Sequence, residues 1–246
     1  MLLIIWGQIY FLSGVEMNYL FFDIECGNGR DICTFGYVIV DSDFNILQKD
    51  DIIINPEKPF KLARAGFDPK IKLSYSEEEF KKHPNFDAQY IKIKNLLVNK
   101  NTVLFGHSVS SDLQYLKNAC KRYKKKAFRI SAYDTQKIYD KQAHKLENIA
   151  HSLGVVIDEN KLHNSCYDAE ITMLCLKKIC ENNNYTIDDI LVKYAKCKVD
   201  SVNDKPKKMR LNGKDNSCTQ SLGDKFNEQL HKKNLNSVND LFVKNN

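Results

Sequence analysis

Short apolar runs separated by turn signals dominate the first part of the sequence and predict strands. Residues 19–24 are apolar and rich in aromatic side chains, which is typical of a buried strand. A second strand is predicted from Ile32 to Val40, and the turn residues 41–43 lead into a third strand from Phe44 to Ile54. The chain therefore opens with an antiparallel meander.

Apolar positions at helical spacing follow this meander and alternate with two further strand-like runs. These strands are predicted at residues 102–106 and 128–133. Helices are predicted at residues 86–98, from a cap at Ser110 or Ser111 onward, at 135–142, at 146–152, at 165–180 with Ser165 available as a cap, and around 187–198. This order predicts an α/β fold in which a mixed five-stranded sheet carries helices on both faces.

Three regions of different composition divide the chain. Residues 1–16 are apolar but carry no Lys or Arg before the apolar run, which is too short to cross a bilayer. Because Met17 directly precedes the first clear strand, we predict an upstream extension at 1–16 and a domain at 17–198, with a membrane-targeting segment as the alternative. Residues 199–246 are rich in Lys, Asn, Asp and Ser, which predicts a basic flexible linker and tail with at most one amphipathic helix.

The composition is that of a globular protein. Hydrophobic residues at 43% and charged residues at 28% exclude a collagen, a coiled coil and a wholly disordered chain. The net charge of +6 suits a polyanionic partner but also suits simple solubility, so charge alone decides nothing. The eight cysteines include no Cys-x-x-Cys pair, which favours reduced thiols in a cytoplasmic protein over a disulfide framework or a zinc site.

Basic residues are concentrated in two places. Residues 121–129 hold six lysines and arginines, and residues 205–210 hold four. The first run is consistent with a solvated helix end, where cations favour the helix dipole, and also with a patch that contacts phosphates. The same two interpretations apply to the second run.

Acidic residues stand at the boundaries of three predicted elements. Asp23 and Glu25 end the first strand, and strand alternation places both carboxylates on one face. Asp112 falls in the first turn of a helix, where an acid also stabilises the helix dipole by about 0.3 to 1 kcal/mol. Asp168 opens an apolar helix five residues after His163, and a charge in such a place needs a partner such as a metal ion.

In this order, the three acidic features resemble the DnaQ-like 3′–5′ exonucleases of the DEDDh class. The resemblance covers residues 17–182 and includes the segments 133–135, Tyr-Asp-Thr, and 146–150, Leu-Glu-Asn-Ile-Ala. It implies a ribonuclease-H-like fold and a metal-dependent enzyme that removes nucleoside monophosphates from the 3′ ends of single-stranded DNA or RNA. Such an enzyme would serve in proofreading, repair or RNA end-trimming. The resemblance does not indicate whether its substrate is DNA or RNA.

The resemblance also assigns roles to five residues. Asp23, Glu25, Asp112 and Asp168 would be the metal-binding carboxylates, and His163 would be the general base. Carboxylate oxygens suit Mg²⁺ or Mn²⁺, and two such ions about 3.5 to 4 Å apart stabilise both the attacking water and the leaving oxygen. A neutral imidazole can accept the proton of that water near pH 7.

Two positions depart from the family pattern. Cys26 and Ser108 stand where the family commonly has Thr after the first Glu and Asn after the His of the second motif, so the family's nucleotide contacts are not carried over to them. His107 is expected to be structural rather than a ligand. Asn164 occupies the place of the tyrosine in the tyrosine subclass, and Tyr167 is out of register for that role, so the histidine subclass is assigned.

Two other functional classes remain as alternatives. One is a catalytically idle nucleic-acid-binding or polymerase-associated module whose tail binds a polymerase or repair partner, and the complete set of acids with His163 argues against it. The other is an endonuclease of the ribonuclease H kind, against which the His-x4-Asp spacing argues. Phe22, Phe67 and Tyr167 are the candidates for apolar contact with a bound strand, and no membrane partner is expected.

Overall fold

The computed structural model describes residues 2–5, 8–11, 17–62, 73–139 and 145–201. The strands in chain order are β1 (Leu2–Ile5), β2 (Gln8–Phe11), β3 (Asn18–Cys26), β4 (Ile32–Val40), β5 (Ile46–Ile53), β6 (Thr102–Gly106), β7 (Ser131–Asp134) and β8 (Lys198–Asp200). The α-helices are α1 (Glu77–Lys81), α2 (Phe86–Leu97), α3 (Val109–Arg122), α4 (Thr135–Tyr139), α5 (Leu146–Ser152), α6 (Ser165–Asn183) and α7 (Ile187–Lys193). Short 3₁₀ turns span Glu159–Lys161 and Ala195–Cys197.

A six-stranded mixed sheet organises these elements in the order β5-β4-β3-β6-β7-β8. The strands β3, β4 and β5 form the predicted antiparallel meander, whereas β6 pairs parallel to β3 and β7 pairs parallel to β6. The α/β, ribonuclease-H-like class is confirmed, but the predicted five-stranded sheet gains β8, which pairs antiparallel with β7. A three-residue edge strand that contains two charged residues gives no apolar run to detect in the sequence.

The side chains of β3 alternate between two cores, one on each face of the sheet. Leu20, Phe22 and Ile24 pack against α2 and α3, and Tyr19 and Phe21 pack against α6 and α7. Helices therefore cover both faces, as predicted. Because Phe22 is completely buried in the first core, its selection as a side chain that contacts a bound strand is wrong.

Several predicted elements have the expected bounds, including β4, β6 and α5. The third strand begins at Ile46 instead of Phe44 because Phe44 has a φ of 63° and belongs to the preceding turn. In that turn, the Asp41 carboxylate accepts hydrogen bonds from the backbone of Asp43 and Asn45. The fifth strand likewise begins at Ser131, and the last predicted helix ends at Lys193.

The helix starts differ from the predicted caps. Helix α3 begins after Ser108 rather than at Ser110 or Ser111. Asn164, and not Ser165, caps α6: its side chain accepts from Tyr167 N at 2.8 Å. Ser165 instead points its hydroxyl toward the sheet, where it has other partners.

One described helix was not predicted, and some predictions cannot be compared with the structure. Helix α1 is capped by Ser76 and has three glutamates in its first turn. Phe67, residues 140–142 of the predicted fourth helix, and the tail from 202 onward, with its basic run, lie outside the described residues. The strands β1 and β2 form an antiparallel pair within the segment 1–16 that was predicted as an extension. Across the described ranges, no helix combines the length and apolar character needed to cross a membrane.

Candidate active site

The predicted acidic residues meet at the carboxyl end of β3. Asp23 and Glu25 lie near the end of this strand, and their side chains are on the same face of the sheet as those of Tyr19 and Phe21. Because β6 runs parallel to β3, the helix that follows β6 begins at the same edge of the sheet. Helix α3 therefore approaches this edge from one face of the sheet, while α6 packs on the other.

A tight connection between β6 and α3 places Asp112 over the strand end. A Cβ at Gly106 would lie 3.1 Å from Phe22 O and 3.0 Å from a Val109 methyl group, so this backbone passes close to β3. The next turn is made by Ser108, whose φ is 58° and whose amide donates to Asp134 Oδ1 at 3.0 Å. Asp134 thus fixes the entry to α3.

A second close approach brings α6 onto the sheet. A Cβ at Gly36 of β4 would lie 2.0 Å from Ser165 C and from Cys166 N, so only glycine allows the first turn of α6 to rest there. His163, with φ of 65°, turns the chain into the helix, and its amide donates to Asp168 Oδ2 at 3.0 Å. The start of α6 is therefore packed closely on the sheet, and the hydrogen bond between His163 and Asp168 stabilises its turn.

Three of the predicted residues form a compact group of ligand atoms. Atoms of Glu25, His163 and Asp168 all lie within 4.8 Å of one another, and His163 Nδ1 is 3.4 Å from Glu25 Oε1. Asp23 interacts electrostatically with Glu25, Asp112 and Asp168. The structure therefore groups three of the five predicted site residues and places Asp23 and Asp112 within electrostatic reach of them.

Burial and repulsion by neighbouring charges raise the pKa of three carboxyl groups, those of Asp23, Asp112 and Asp168. Desolvation is the largest cause for Asp23, followed by the charges of Asp112, Glu25 and Asp168. Desolvation likewise raises the pKa of Asp112, with Glu25 as the next cause. Desolvation and then the charge of Glu25 raise the pKa of Asp168 to about 7. The charged forms of these groups are therefore costly without a cation.

Two buried carboxylate oxygens in this group have no hydrogen-bond partner among the described residues, Asp112 Oδ2 and Asp168 Oδ1. Asp112 is only 4% exposed, so it is not the solvated first-turn acid that its sequence position also allows. Buried anionic oxygens without donors are the groups that a hard divalent cation binds. The donor set therefore fits the metal that the family resemblance implies.

The imidazole of His163 is held in an acidic environment. Its hydrogen bond with Glu25 raises the pKa above the ordinary value, desolvation opposes this effect, and the charges of Glu25 and Asp168 add to it. The His163 side chain is nevertheless 46% exposed to solvent. It therefore faces both the carboxylates and the solvent from which a water molecule would come.

Other predicted residues are engaged in holding the fold. His107 Nδ1 lies 3.4 Å from Thr135 Oγ1. The hydroxyl of Tyr167, proposed as a group that contacts a bound strand, accepts from Asp158 N at 2.7 Å, and Lys161 Nζ lies 5.9 Å from its ring centroid. Tyr167 thus anchors the loop before α6.

The basic run at 121–129 is partly used within the domain. Arg122 donates to Asp31 Oδ1 at 2.8 Å and to Pro56 O at 2.7 Å. Lys125 forms an ion pair with Asp87. These contacts favour the structural interpretation for both residues over a free phosphate-binding patch.

Sequence reasoning missed one acidic residue beside the site, Asp51 of β5. Its charge is among the causes that raise the pKa of both Asp23 and Asp168. The available signal was Gly36, a glycine inside the otherwise apolar strand β4, because such a glycine marks a close approach of another segment. Asp51 pairs directly with Gly36 across the sheet.

Comparisons with known proteins agree with this geometry. Residues 71–179 match a DEDDh family model described as DNA polymerase III subunit epsilon-like, C-terminal domain. The match includes Asp112, His163 and Asp168, while Asp23 and Glu25 precede it. Among curated proteins, none matches the sequence significantly.

Solved structures share the fold at low sequence identity. The nuclease domain of 3′hExo, a DEDDh family member bound to rAMP, has a TM-score of 0.56 and 15% identity over 70% of this chain and 94% of that chain. An exonuclease I structure has a TM-score of 0.56 and 17% identity over 68% of this chain. Exonuclease I of E. coli in complex with a dA16 oligonucleotide has a TM-score of 0.53 and 16% identity over 68% of this chain.

This chain spans 41% of each of those two exonuclease I chains. At such identities the structural likeness shows the fold alone. The family match covers residues 71–179, a range that contains three of the five predicted site residues. Residues 71–179 are therefore similar to the DEDDh family of DNA polymerase III epsilon-like proteins, and the chain has the ribonuclease-H-like fold of the solved DEDDh exonucleases.

Proposed function

We propose that this protein is a 3′–5′ exonuclease that hydrolyses phosphodiester bonds at single-stranded ends and releases nucleoside monophosphates. The observation that carries the proposal is the meeting of Asp23, Glu25, Asp112, His163 and Asp168 at one strand end, with two carboxylate oxygens buried and unpartnered. The family match over residues 71–179 supports the same activity.

Divalent-metal dependence accompanies membership of the DEDDh family, and we propose two Mg²⁺ or Mn²⁺ ions. Asp23, Glu25, Asp112 and Asp168 would hold them, since oxygen donors suit these cations. When bound, two such ions stabilise the charge that develops on the attacking and leaving oxygens of an in-line displacement. They would also neutralise the carboxylates whose pKa values are raised by burial.

The remaining chemistry falls to His163. As a neutral imidazole it accepts the proton of the attacking water, and its position 3.4 Å from Glu25 lets that carboxylate stabilise the imidazolium formed. The amide of His163 donates to Asp168 Oδ2 and so ties the base to a metal-binding residue. The left-handed backbone of His163 presents the ring toward the cluster.

The substrate class follows by analogy with the neighbours. One of them is bound to rAMP and another is in complex with dA16, so both ribonucleotide and deoxyribonucleotide ligands occur on this fold. We propose single-stranded DNA or RNA 3′ ends as substrates of this chain. A polymerase or repair partner that binds the tail remains part of the proposal.

We also propose that the exonuclease domain begins at 17 and extends to Ser201, a few residues beyond the boundary predicted at 198. Ser201 N donates to Ile130 O at 2.9 Å, and Ser201 Oγ donates to Phe128 O at 2.7 Å. These bonds hold the end of β8 on the sheet. Residues 1–16 would then be the extension, and the chain after Ser201 the linker and tail.

The test uses the full chain with 5′-labelled single-stranded DNA and matching RNA, in Mg²⁺, Mn²⁺ or EDTA. A metal-dependent ladder that shortens from the 3′ end is expected, and Asp112→Asn should abolish it. Glu181→Gln, an exposed acid on α6, is the matched control. Full activity in Asp112→Asn would refute the site assignment.

A second substrate separates the alternatives. A closed RNA circle annealed to complementary DNA has no RNA 3′ end, so an exonuclease leaves the RNA intact, whereas an endonuclease of the ribonuclease H kind cuts it. Binding of linear strands without any cleavage in either metal would instead support the idle module. The relative rates on DNA and RNA would define the sugar preference.

A further inference from the structure

A half-buried carboxylate beside the site, Asp51 of β5, has no role in the chemistry proposed above. It lies outside the compact group of Glu25, His163 and Asp168. Both of its oxygens nevertheless bind the segment that carries two of those residues. The contacts of Asp51 therefore concern the placement of the site.

The Asp51 carboxylate grips the first residues of α6. Ser165 Oγ donates to Asp51 Oδ1 at 2.6 Å, and Asn164 Nδ2 donates to Asp51 Oδ2 at 3.2 Å. Ser165 Oγ also shares a hydrogen bond of 2.8 Å with Thr34 Oγ1 on β4. Because Ser165 is completely buried, water cannot replace these partners.

Two further contacts close this anchor. The Tyr75 side chain lies beside those of Asp51 and Asn164 and interacts with both. Gly36, which pairs with Asp51 across the sheet, leaves the space in which the backbone of Ser165 rests. The first turn of α6 is thus seated on β4 and tied to β5 by charge-assisted bonds.

The anchored residues lie directly between the two functional ones. Asn164 and Ser165 follow His163 and precede Asp168, and the amide of His163 is itself bound to Asp168. A shift of the anchored pair would therefore move the base and the metal-binding carboxylate together. The other described contacts of α6 with the sheet are apolar, apart from the Lys49–Glu170 ion pair at 3.1 Å and the long Cys166 Sγ–Tyr37 O contact of 3.9 Å. Because the ion pair is partly exposed to solvent, it holds the helix less firmly than the buried bonds of Ser165.

We propose that Asp51 is a positioning residue, whose carboxylate holds the first turn of α6 so that His163 and Asp168 meet Glu25 at the end of β3. The proposal rests on the exonuclease function proposed above. A misplacement of about 1 Å in such a site costs up to about 100-fold in rate, so the effect should appear in kcat.

Asp51 also carries a charge that reaches Asp23 and Asp168, and this second effect needs separation from positioning. Ser165→Ala removes the buried hydroxyl bond and leaves the charge in place. Asp51→Asn removes the charge and keeps an oxygen that accepts from Ser165. Asp50→Asn is the control, because Asp50 is the adjacent residue of β5 and its carboxylate pairs with exposed Lys92 at 2.9 Å.

The first measurement is steady-state kinetics of the full chain on a short single-stranded oligonucleotide, with the Mg²⁺ concentration varied. Asp51→Ala and Ser165→Ala should each lower kcat by about 10- to 100-fold and change KM by less than about threefold. Asp51→Asn should lose less, and Asp50→Asn should match the wild type. The loss of kcat in the double variant Asp51→Ala/Ser165→Ala should be smaller than the product of the two single losses, because both changes break the bond between Ser165 and Asp51.

The second measurement, backbone hydrogen exchange over residues 162–170, does not depend on activity. Exchange should accelerate by about tenfold in Asp51→Ala and Ser165→Ala and stay unchanged in Asp50→Asn. Unchanged exchange in the first two variants would overturn the positioning role even in an active enzyme. A wild type that degrades no strand would overturn the proposed function instead, and the exchange result would still decide the role of Asp51.

Two kinetic outcomes would also reject the inference. One is a lower melting temperature with unchanged kcat per folded molecule, which would make Asp51 a stabilising residue only. The other is a raised Mg²⁺ requirement in both Asp51 variants with a normal Ser165→Ala enzyme, which would assign the effect to charge.

Discussion

Replacing Asp168 with asparagine should stabilise the metal-free protein while it abolishes activity. Asp168 is 8% exposed, and burial together with the charge of Glu25 raises the pKa of its carboxyl to about 7. Asparagine has nearly the same shape and keeps an oxygen that can accept from His163 N. It removes the charge that burial disfavours.

The magnitude follows from the difference between the folded and unfolded pKa of this group. An unfolded Asp has a pKa near 3.9, and each unit of difference corresponds to about 1.36 kcal/mol. Between about pH 4 and pH 7 the folded protein keeps a proton that the unfolded chain has lost, so the free energy of unfolding falls as pH rises. By pH 8 the raised pKa of Asp168 has lowered the free energy of unfolding by about 4 kcal/mol. Below about pH 4 this decrease is absent, because Asp168 is protonated in both states.

Thermal unfolding in EDTA at pH 4.5 and pH 8 measures this effect. Asp168→Asn should melt close to the wild type at pH 4.5 and about 10 °C higher at pH 8. Asp23 and Asp112 also have raised pKa values, so the stability of both proteins should fall as pH rises. The difference in melting temperature between wild type and variant therefore reports on Asp168 alone. Mg²⁺ should raise the melting temperature of the wild type more than that of the variant.

Glu181→Gln provides the matched control on the same helix, because Glu181 is exposed and pairs only with Lys178 among the described residues. This change should leave the pH dependence of unfolding unaltered. Equal melting temperatures of Asp168→Asn and wild type at pH 8 in EDTA would refute the reasoning, since they would mean that the buried charge carries no free-energy cost.

Three further changes test separate parts of the structure. His163→Ala should lower kcat by about 100- to 10,000-fold and remove the rise of rate with pH that deprotonation of a general base gives, while Mg²⁺ still raises the melting temperature. Gly36→Ala should destabilise the fold by about 1 to 3 kcal/mol and reduce activity, as measured by thermal unfolding and the oligonucleotide assay, because its Cβ would meet the Ser165 backbone at 2.0 Å. Arg122→Ala should lower the free energy of unfolding by about 1 to 2 kcal/mol, because it loses the bonds to Asp31 and Pro56. It should leave the salt dependence of nucleic-acid binding unchanged. A smaller slope of log affinity against log salt concentration would instead support the phosphate-contact interpretation.

Much of the architecture was predictable because its strands are long and apolar. The runs that became β3, β4 and β6 lie at the centre of the sheet, where burial on both faces removes polar residues and makes each strand visible in the sequence. The edge strand β8 and the short helix α1 escaped detection because neither buries enough apolar surface to leave a periodic pattern.

The candidate residues of the proposed site could be selected from the sequence as a set, and their supports could not. Asp23 and Glu25 share a face because strand alternation dictates it, and the ordered motifs pointed to Asp112 and Asp168 as further candidates. The role of Asp51 depends on the packing of the first turn of α6 at Gly36, which joins residues far apart in sequence. Such contacts leave no local pattern, so a glycine in an apolar strand is the one trace they provide.

The two helix entries that deliver Asp112 and Asp168 follow one physical plan. In each, a non-glycine residue in the left-handed region turns the chain, and a buried aspartate accepts its amide at 3.0 Å: Ser108 with Asp134, and His163 with Asp168. The hydrogen bond offsets part of the cost of the left-handed backbone.

The two aspartates differ in the partners of the carboxylate oxygen that does not accept this hydrogen bond. Asp134 Oδ1 also accepts from Gln136 N at 3.2 Å, and Lys137 Nζ lies 3.9 Å from Oδ2, so each oxygen has a partner within the fold. Asp168 commits Oδ2 to the His163 amide, while its buried Oδ1 has no donor among the described residues. Asp134 therefore has a structural role, whereas Asp168 uses one oxygen for the turn and leaves the second for the cation that we propose.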